Sequence, residues 1–336
     1  NWLKGEFDMS KKNKPMRAKL IANPGAGNVL EAASRYEQVT SYLKEAGVKV
    51  DVAFARPKKE AIPIAKRAVK EGYDVIIAMG GDGTIGAVIR GIAGSKARLG
   101  IIPAGTENDI ARALGIPEDL KEACAIIASG NTRKVDLGCI TTKNEKNHYF
   151  FMMIAIGLTA TLYPMVNDVP NGKFGGVMEA IKTILKYKPN PTVNLTLDDD
   201  SKIEVETMLV TITNTPVTGI KNLVAPDASM EDGLLDISVY PGFSKAELLN
   251  YFIKTANEGT TPDGRIQRYR AKKIKVKTSP KLDISSEGII VGKGTAWIKL
   301  LPGAMRVIAP EVGAGAEKPQ EKDVKDMPAP VSPVAQ

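Results

Sequence analysis

From Arg17 onward the apolar positions fall into short runs separated by longer amphipathic stretches. Ala18–Ala22, Val48–Ala53, Asp74–Met79 and Leu99–Ile102 read as strands, and Glu31–Ala46, Lys58–Glu71, Ile85–Ala93 and Asp109–Leu114 as helices. Alternation of this kind predicts a mainly parallel, helix-covered sheet. Ligands of such sheets sit beyond the carboxyl ends of the strands. The turns Asn23–Gly27, Gly80–Thr84 and Pro103–Asn108 all fall there, so they are expected to line one crevice.

After Asp136 the pattern becomes β-rich, with runs at Tyr149–Ile156, Thr192–Leu197, Lys202–Thr213, Leu235–Tyr240, Lys273–Lys277 and Ala296–Leu300. These predict a β-sandwich-like second domain, interrupted by helices at Gly176–Lys186 and at Lys245–Asn257, the latter opened by the cap residue Ser244. The expected organisation is therefore α/β with two domains. Residues 17–136 form a domain with a mainly parallel sheet, and 137–303 a β-rich domain. Met305–Ala309 reads as a strand, with 304–311 returning to the first domain. Residues 1–16 and 312–336, poor in apolar side chains, are expected to be flexible.

Composition narrows the function. The 336 residues, 43% of them hydrophobic, are enough for two buried cores. A net charge of +8 favours anionic partners such as nucleotides or acidic lipid headgroups. No aromatic–basic interleaving of a nucleic-acid reader is present, and none is expected to bind. The two cysteines, Cys124 and Cys139, cannot build a disulfide framework, which fits a reducing cytoplasm. The single histidine, His148, opens an apolar run and reads as structural. No apolar stretch reaches the 18 or so residues of a membrane span, so membrane contact is expected to be peripheral. Lys11, Lys12, Lys14 and Arg17 would favour an anionic surface.

The turns carry the chemistry. In Met79-Gly80-Gly81-Asp82-Gly83-Thr84 the glycines let the backbone approach a phosphate while the amides of the next helix point at it. Asp82 would repel a phosphate directly, so it suits Mg²⁺, a water or a ribose hydroxyl, unless it caps a helix. Pro103-Ala104-Gly105-Thr106-Glu107-Asn108-Asp109 gathers hydroxyl, amide and carboxylate groups at a second junction, where Asn108 or Asp109 also reads as a helix cap. Asn23-Pro24-Gly25-Ala26-Gly27 closes the first strand.

Together these segments resemble the diacylglycerol kinase-like lipid kinases. The resemblance continues through Val135-Asp136-Leu137-Gly138, Ala225-Pro226-Asp227-Ala228, Asp232-Gly233-Leu234-Leu235-Asp236 and Leu301-Pro302-Gly303-Ala304. It implies an ATP- and Mg²⁺-dependent kinase for a hydroxyl of diacylglycerol or a related lipid alcohol, acting peripherally at the inner membrane surface; a homodimer is compatible with it. By position, Asn23, Gly81, Asp82, Gly83, Thr84, Gly105, Thr106, Asn108 and Asp109 would contact nucleotide and metal, and Asp232 and Asp236 would hold Mg²⁺.

The family takes its general base from an Asp-Gly-Glu turn. Here Leu282-Asp283-Ile284-Ser285-Ser286-Glu287-Gly288 puts Ser285 at the base position, which leaves Asp283 or Glu287 as substitutes. Gly86 and Ala87 replace an Asn-Glu pair common after the Gly-rich loop, and Thr159 stands where an Asp often follows Gly157. The alternatives are a nucleotide- or lipid-binding pseudokinase, or an NAD kinase-like enzyme, which shares the Gly-Gly-Asp-Gly-Thr loop.

Overall fold

The computed structural model describes residues 16–25, 32–56, 58–158, 160, 191–198, 201–216, 225–258 and 262–311. Outside the described residues lie the helix expected at Gly176–Lys186, Thr159, the Ala26–Gly27 end of the first turn and the two terminal segments.

Chain order in the first lobe is β1 (Arg17–Ala22), α1 (Ala32–Glu45), β2 (Lys49–Phe54), α2 (Ala61–Lys70), β3 (Val75–Gly80), α3 (Asp82–Ile92), β4 (Arg98–Pro103), α4 (Asp109–Ala113) and α5 (Leu120–Ser129). The strands lie in the order β2-β1-β3-β4, all parallel. Every residue of β3 is buried, because the strand has neighbours on both edges and helices over its faces. This is why Val75–Met79 is an unbroken apolar run and not an alternating one. Helix α5 was not read from the sequence, although Asp119 and Glu122 mark its start: the Asp119 carboxylate accepts the Glu122 N–H at 2.9 Å.

Two long strands join the lobes. β5 (Thr132–Thr142) pairs antiparallel with β15 (Thr295–Ile308) from Thr132 opposite Ile308 to Thr142 opposite Ala296. At the far end of β15, Arg306 and Val307 pair parallel with Arg98 and Leu99 of β4, so the final strand extends the first sheet.

The second lobe adds β6 (His148–Phe150), β7 (Met153–Gly157), β8 (Thr192–Leu197), β9 (Ser201–Thr213), β10 (Leu235–Pro241), α6 (Lys245–Glu258), β11 (Gln267–Ala271), β12 (Lys273–Ser279), β13 (Asp283–Ser286) and β14 (Ile289–Lys293). One layer runs β15-β12-β8-β9 and the other β14-β13-β7-β9-β10-β11. Strand β9 belongs to both: Ser201–Glu206 pair with β8, while Leu209–Thr213 pair with β7. At the corner the single proton of the Thr207 hydroxyl is shared between the carbonyls of Leu209 and Tyr240, each 2.9 Å away. The core lies between the layers, where Ile154, Ile212, Ile237 and Ile284 meet Val193, Leu195, Ile274 and Ile298. Helix α6 is closed by a reciprocal cap, with Ser244 N–H on Glu247 Oε2 at 2.8 Å and Glu247 N–H on Ser244 Oγ at 3.3 Å.

One expected strand is split. Tyr149–Ile156 is not continuous, because at Phe151 and Met152 the backbone leaves the ladder and both N–H groups turn to the Glu287 carboxylate.

Candidate active site

The three strand-end turns meet. Asn23 Nδ2 donates to Thr84 Oγ1 at 3.2 Å, joining the first turn to the second, and Asn23 Oδ1 accepts the Gly25 N–H at 3.0 Å. The backbones of the second and third turns come into direct contact. A Cβ on Gly105 would lie 2.3 Å from Gly81 Cα, a separation that no side chain permits. Glycine is therefore required for two loop backbones to run side by side at the carboxyl ends of β3 and β4.

Asp82 caps a helix, though not its own. Its oxygens accept the N–H groups of Asp109 at 3.2 Å and Ile110 at 2.9 Å, at the start of α4. The carboxylate thus fixes the third turn against the second. Asn108 holds left-handed backbone, with φ 55° and ψ 37°. Its amide closes the turn on itself, Oδ1 accepting the Gly105 N–H at 2.9 Å and Nδ2 donating to the Gly105 carbonyl at 3.2 Å and to Glu118 Oε1 at 3.2 Å. Asp109 pairs with Arg112 at 2.7 Å. Gly81, Gly83 and Thr106 remain beside this frame, with Thr84 buried beneath it. A shallow cleft next to the first turn is lined by Asn23, Arg35, Tyr36, Phe54 and Met79; sequence reasoning missed it, since its members are far apart in the chain.

From the other lobe, the β13–β14 turn reaches this frame. Glu287, at φ 48°, has a side chain only 12% exposed. Its Oε1 accepts the N–H groups of Phe151 at 2.6 Å and Met152 at 2.9 Å, and its Oε2 faces Arg90 of α3 at 3.4 Å. Gly86 makes this approach possible: a Cβ there would sit 2.9 Å from Glu287 Oε2. The Glu287 carboxylate thus occupies the space that a side chain at position 86 would take. Burial pushes the Glu287 carboxyl above its usual range, against the opposing pull of Arg90 and the two N–H groups, and the Asp82 charge adds to the rise. Asp82 and Glu287 therefore feel each other across the lobes.

Ser285 and Ser286 are buried on β13, opposite Ala155 and Ile154 of β7. Asp283 is ion-paired with Lys293 at 2.9 Å. His148 is held neutral, its pKa lowered to about 4 by burial and by Arg90.

Asp232 and Asp236 do come together, but with Arg270 between them, paired to Asp232 and lying 3.2 Å from Asp236 Oδ1. Among the described residues Asp236 Oδ2 is buried without a hydrogen-bond partner. Burial pushes Asp236 up to about 6, with Asp232 and Asp227 adding to the rise and Arg270 opposing it. Asp236 ionises near its ordinary 3.8 when unfolded but near 6 when folded, so its stability loss develops as pH rises across that window. Asp236→Asn should match wild type at the acid end and exceed it by about 3 kcal/mol at neutral pH. Urea midpoints across that range check this; a constant difference at every pH would refute the assignment.

Asp136 organises the neighbourhood that joins the lobes. Its oxygens accept Gly303 N–H and Gly233 N–H, each at 2.7 Å, and its own N–H donates to the Met230 carbonyl at 2.7 Å. Three segments singled out in the sequence are thus tied together by one buried carboxylate.

Three turns meeting at the ends of parallel strands, with a hairpin of a β-sandwich set against α3, define a two-lobed α/β protein. Residues 17–140 match the diacylglycerol kinase catalytic domain, and residues 152–309 the YegS C-terminal NAD kinase beta sandwich-like domain. The chain is 31% identical over 284 residues to a diacylglycerol kinase of Bacillus subtilis, covering 81% of this chain and 89% of that one. It is 30% identical over 302 residues to a diacylglycerol kinase of Staphylococcus aureus, covering 88% and 92%. A diacylglycerol kinase structure from Bacillus anthracis shares the fold, with TM-score 0.68 and 22% identity over 89% of this chain and 99% of that one. The chain belongs to the diacylglycerol kinase-like lipid kinase family.

Proposed function

We propose that the protein transfers the terminal phosphoryl group of ATP to a hydroxyl of diacylglycerol or a related lipid alcohol. The observation that carries this reading is the convergence of the Asn23, Gly81–Thr84 and Gly105–Asp109 turns under a hairpin of the second lobe. The residues fit the nucleotide. Loop amides around Gly81–Gly83 and Gly105–Thr106 would hold phosphates, since glycine keeps that backbone open.

The acidic pair fits a hard cation poorly. Among the described residues no three or more His, Cys, Asp or Glu gather into a group that could hold a metal, and the Arg270 guanidinium lies between Asp232 and Asp236.

Phosphoryl transfer is mostly positioning and charge stabilisation. Asp82 sets the third turn, and Glu287 fixes the hairpin and the crossing at Phe151–Met152. With both oxygens bound to the protein frame, Glu287 serves here to position; Asp283, one strand repeat before Ser285 and itself paired with Lys293, would have to leave that pair to accept the proton. A second reading, a nucleotide-binding pseudokinase, is favoured by one observation: Ser285 stands in the base position and a neutral hydroxyl is no general base.

Transfer of labelled phosphate from ATP into a mixed lipid extract tests both. Labelled lipid from wild type, lost in Asp82→Ala while the fold persists, supports the kinase. No label from wild type, with ATP still bound and transfer appearing in Ser285→Asp/Ser286→Gly, supports the pseudokinase; the gain expected from restoring the base is about 10²–10⁴-fold.

A further inference from the structure

Two carboxylates drawn together in a fold need a counter-charge, which a metal ion or a side chain can supply. The resemblance read from the sequence implies Mg²⁺ at Asp232 and Asp236. An arginine stands there instead. Strand β11 runs beside β10 with Arg270 directly opposite Asp236, and Arg268, opposite Ser238, lies two residues away on the same face. One guanidinium reaches both carboxylates: Nη2 donates to Asp232 Oδ2, and Nε lies 3.2 Å from Asp236 Oδ1.

The oxygens that remain do not make a metal shell. Mg²⁺ demands near-octahedral oxygen ligands at about 2.0–2.1 Å. Asp232 Oδ1 accepts the Leu234 N–H at 3.0 Å and Oδ2 is held by Arg270, so both oxygens of that carboxylate are engaged. Asp236 has one oxygen left, Oδ2, buried without a hydrogen-bond partner among the described residues. A metal ion brought between the two would meet the positive charge already there. Arginine suits the place because its planar, permanently charged fork carries several donors in fixed directions, where lysine offers a single point charge.

The bridge is tied into the joint between the lobes. Gly233, next to Asp232, donates its N–H to Asp136 Oδ2 at 2.7 Å, and the other Asp136 oxygen accepts the Gly303 N–H of β15 at 2.7 Å. Arg270 therefore steadies the segment that Asp136 holds against β15.

We propose that the Arg270 guanidinium is the resident cation of the Asp232–Asp236 segment, standing where the resemblance puts Mg²⁺, so that this segment keeps its geometry without a divalent ion. The bridge is independent of phosphate transfer, and its test uses neither ATP nor lipid.

Full-length protein free of nucleotide is titrated with Mn²⁺, read by loss of the free-ion electron paramagnetic resonance signal. Its thermal midpoint is followed with millimolar Mg²⁺ and with EDTA. Wild type is expected to show no Mn²⁺ binding that Asp232→Asn removes, and a midpoint that neither addition moves. Arg270→Met takes away the charge and keeps an apolar stem. Its midpoint should fall by about 5 °C or more, because two partly buried carboxylates lose their partner. Millimolar Mg²⁺ should recover about half of that loss or more, by binding the folded form alone. In an Asp232→Asn/Asp236→Asn background the same replacement should cost less than about half as much, since no charge is left to balance.

Mn²⁺ bound by wild type and lost in Asp232→Asn would place a metal at the segment and overturn the proposal. So would an Arg270→Met loss that is equal with and without the two carboxylates, or one that Mg²⁺ leaves untouched; either makes Arg270 a packing residue. If Arg270→Met alone does not fold, the same replacement in the Asn/Asn background is expected to fold, and failure there as well overturns the proposal. A protein that passes these tests and transfers no phosphate would leave the bridge standing and the kinase reading fallen.

Discussion

Glu287→Ala is expected to lower the free energy of unfolding by about 3 kcal/mol. The carboxylate satisfies two backbone N–H groups at the Phe151–Met152 crossing and faces Arg90 of the first lobe. Removing one partner of a buried, hydrogen-bonded charge strands the others, and that loss exceeds what the ion pair contributes by itself. Glu287→Gln separates the two parts. Its amide oxygen can still accept from Phe151 and Met152, so it should cost only about 1 kcal/mol. Urea unfolding of the three proteins checks this. Equal and small losses for both variants would mean that water replaces the carboxylate and that the latch between lobes has little strength.

Gly105→Ala should affect nucleotide binding most. The added methyl would come within 2.3 Å of Gly81 Cα and 3.0 Å of Asn108 Oδ1, so the second and third turns must part. Parting them moves the amides of both loops and pulls α4 away from the Asp82 carboxylate. Overpacking of this kind costs about 1–3 kcal/mol of stability. A displacement near 1 Å in a positioned site costs roughly a hundredfold, and ATP affinity measured by calorimetry should fall by that order. A change under about threefold would show that these amides do not hold the nucleotide.

Some of the site was legible because its chemistry is local. Gly80–Thr84 and Pro103–Asp109 announce a tight strand-to-helix junction through residue type alone, and each lies where it was read. The carboxylate contacts were not legible. Asp82 reads as a ligand or as the cap of its own helix, yet it caps α4, 27 and 28 residues further on. Asp136 stands in a short motif with no stated duty, and only the fold brings Gly233 and Gly303 to its two oxygens. Glu287 resembles a catalytic or metal-side carboxylate in one dimension; in three it fills the notch that Gly86 leaves and breaks the strand expected at Tyr149–Ile156.

By itself the sequence determined the parallel, helix-covered first lobe, the β-rich second lobe and the three glycine-bearing turns. Each follows from hydrophobic period or from the backbone freedom of glycine, and both are properties of neighbouring residues. Only the tertiary structure decided which carboxylate serves which amide, how β5 and β15 bind the lobes together, and which apolar side chains stay exposed. Those outcomes depend on groups far apart in the chain competing for the same buried donors, and the spacing of residues along the chain does not record who wins.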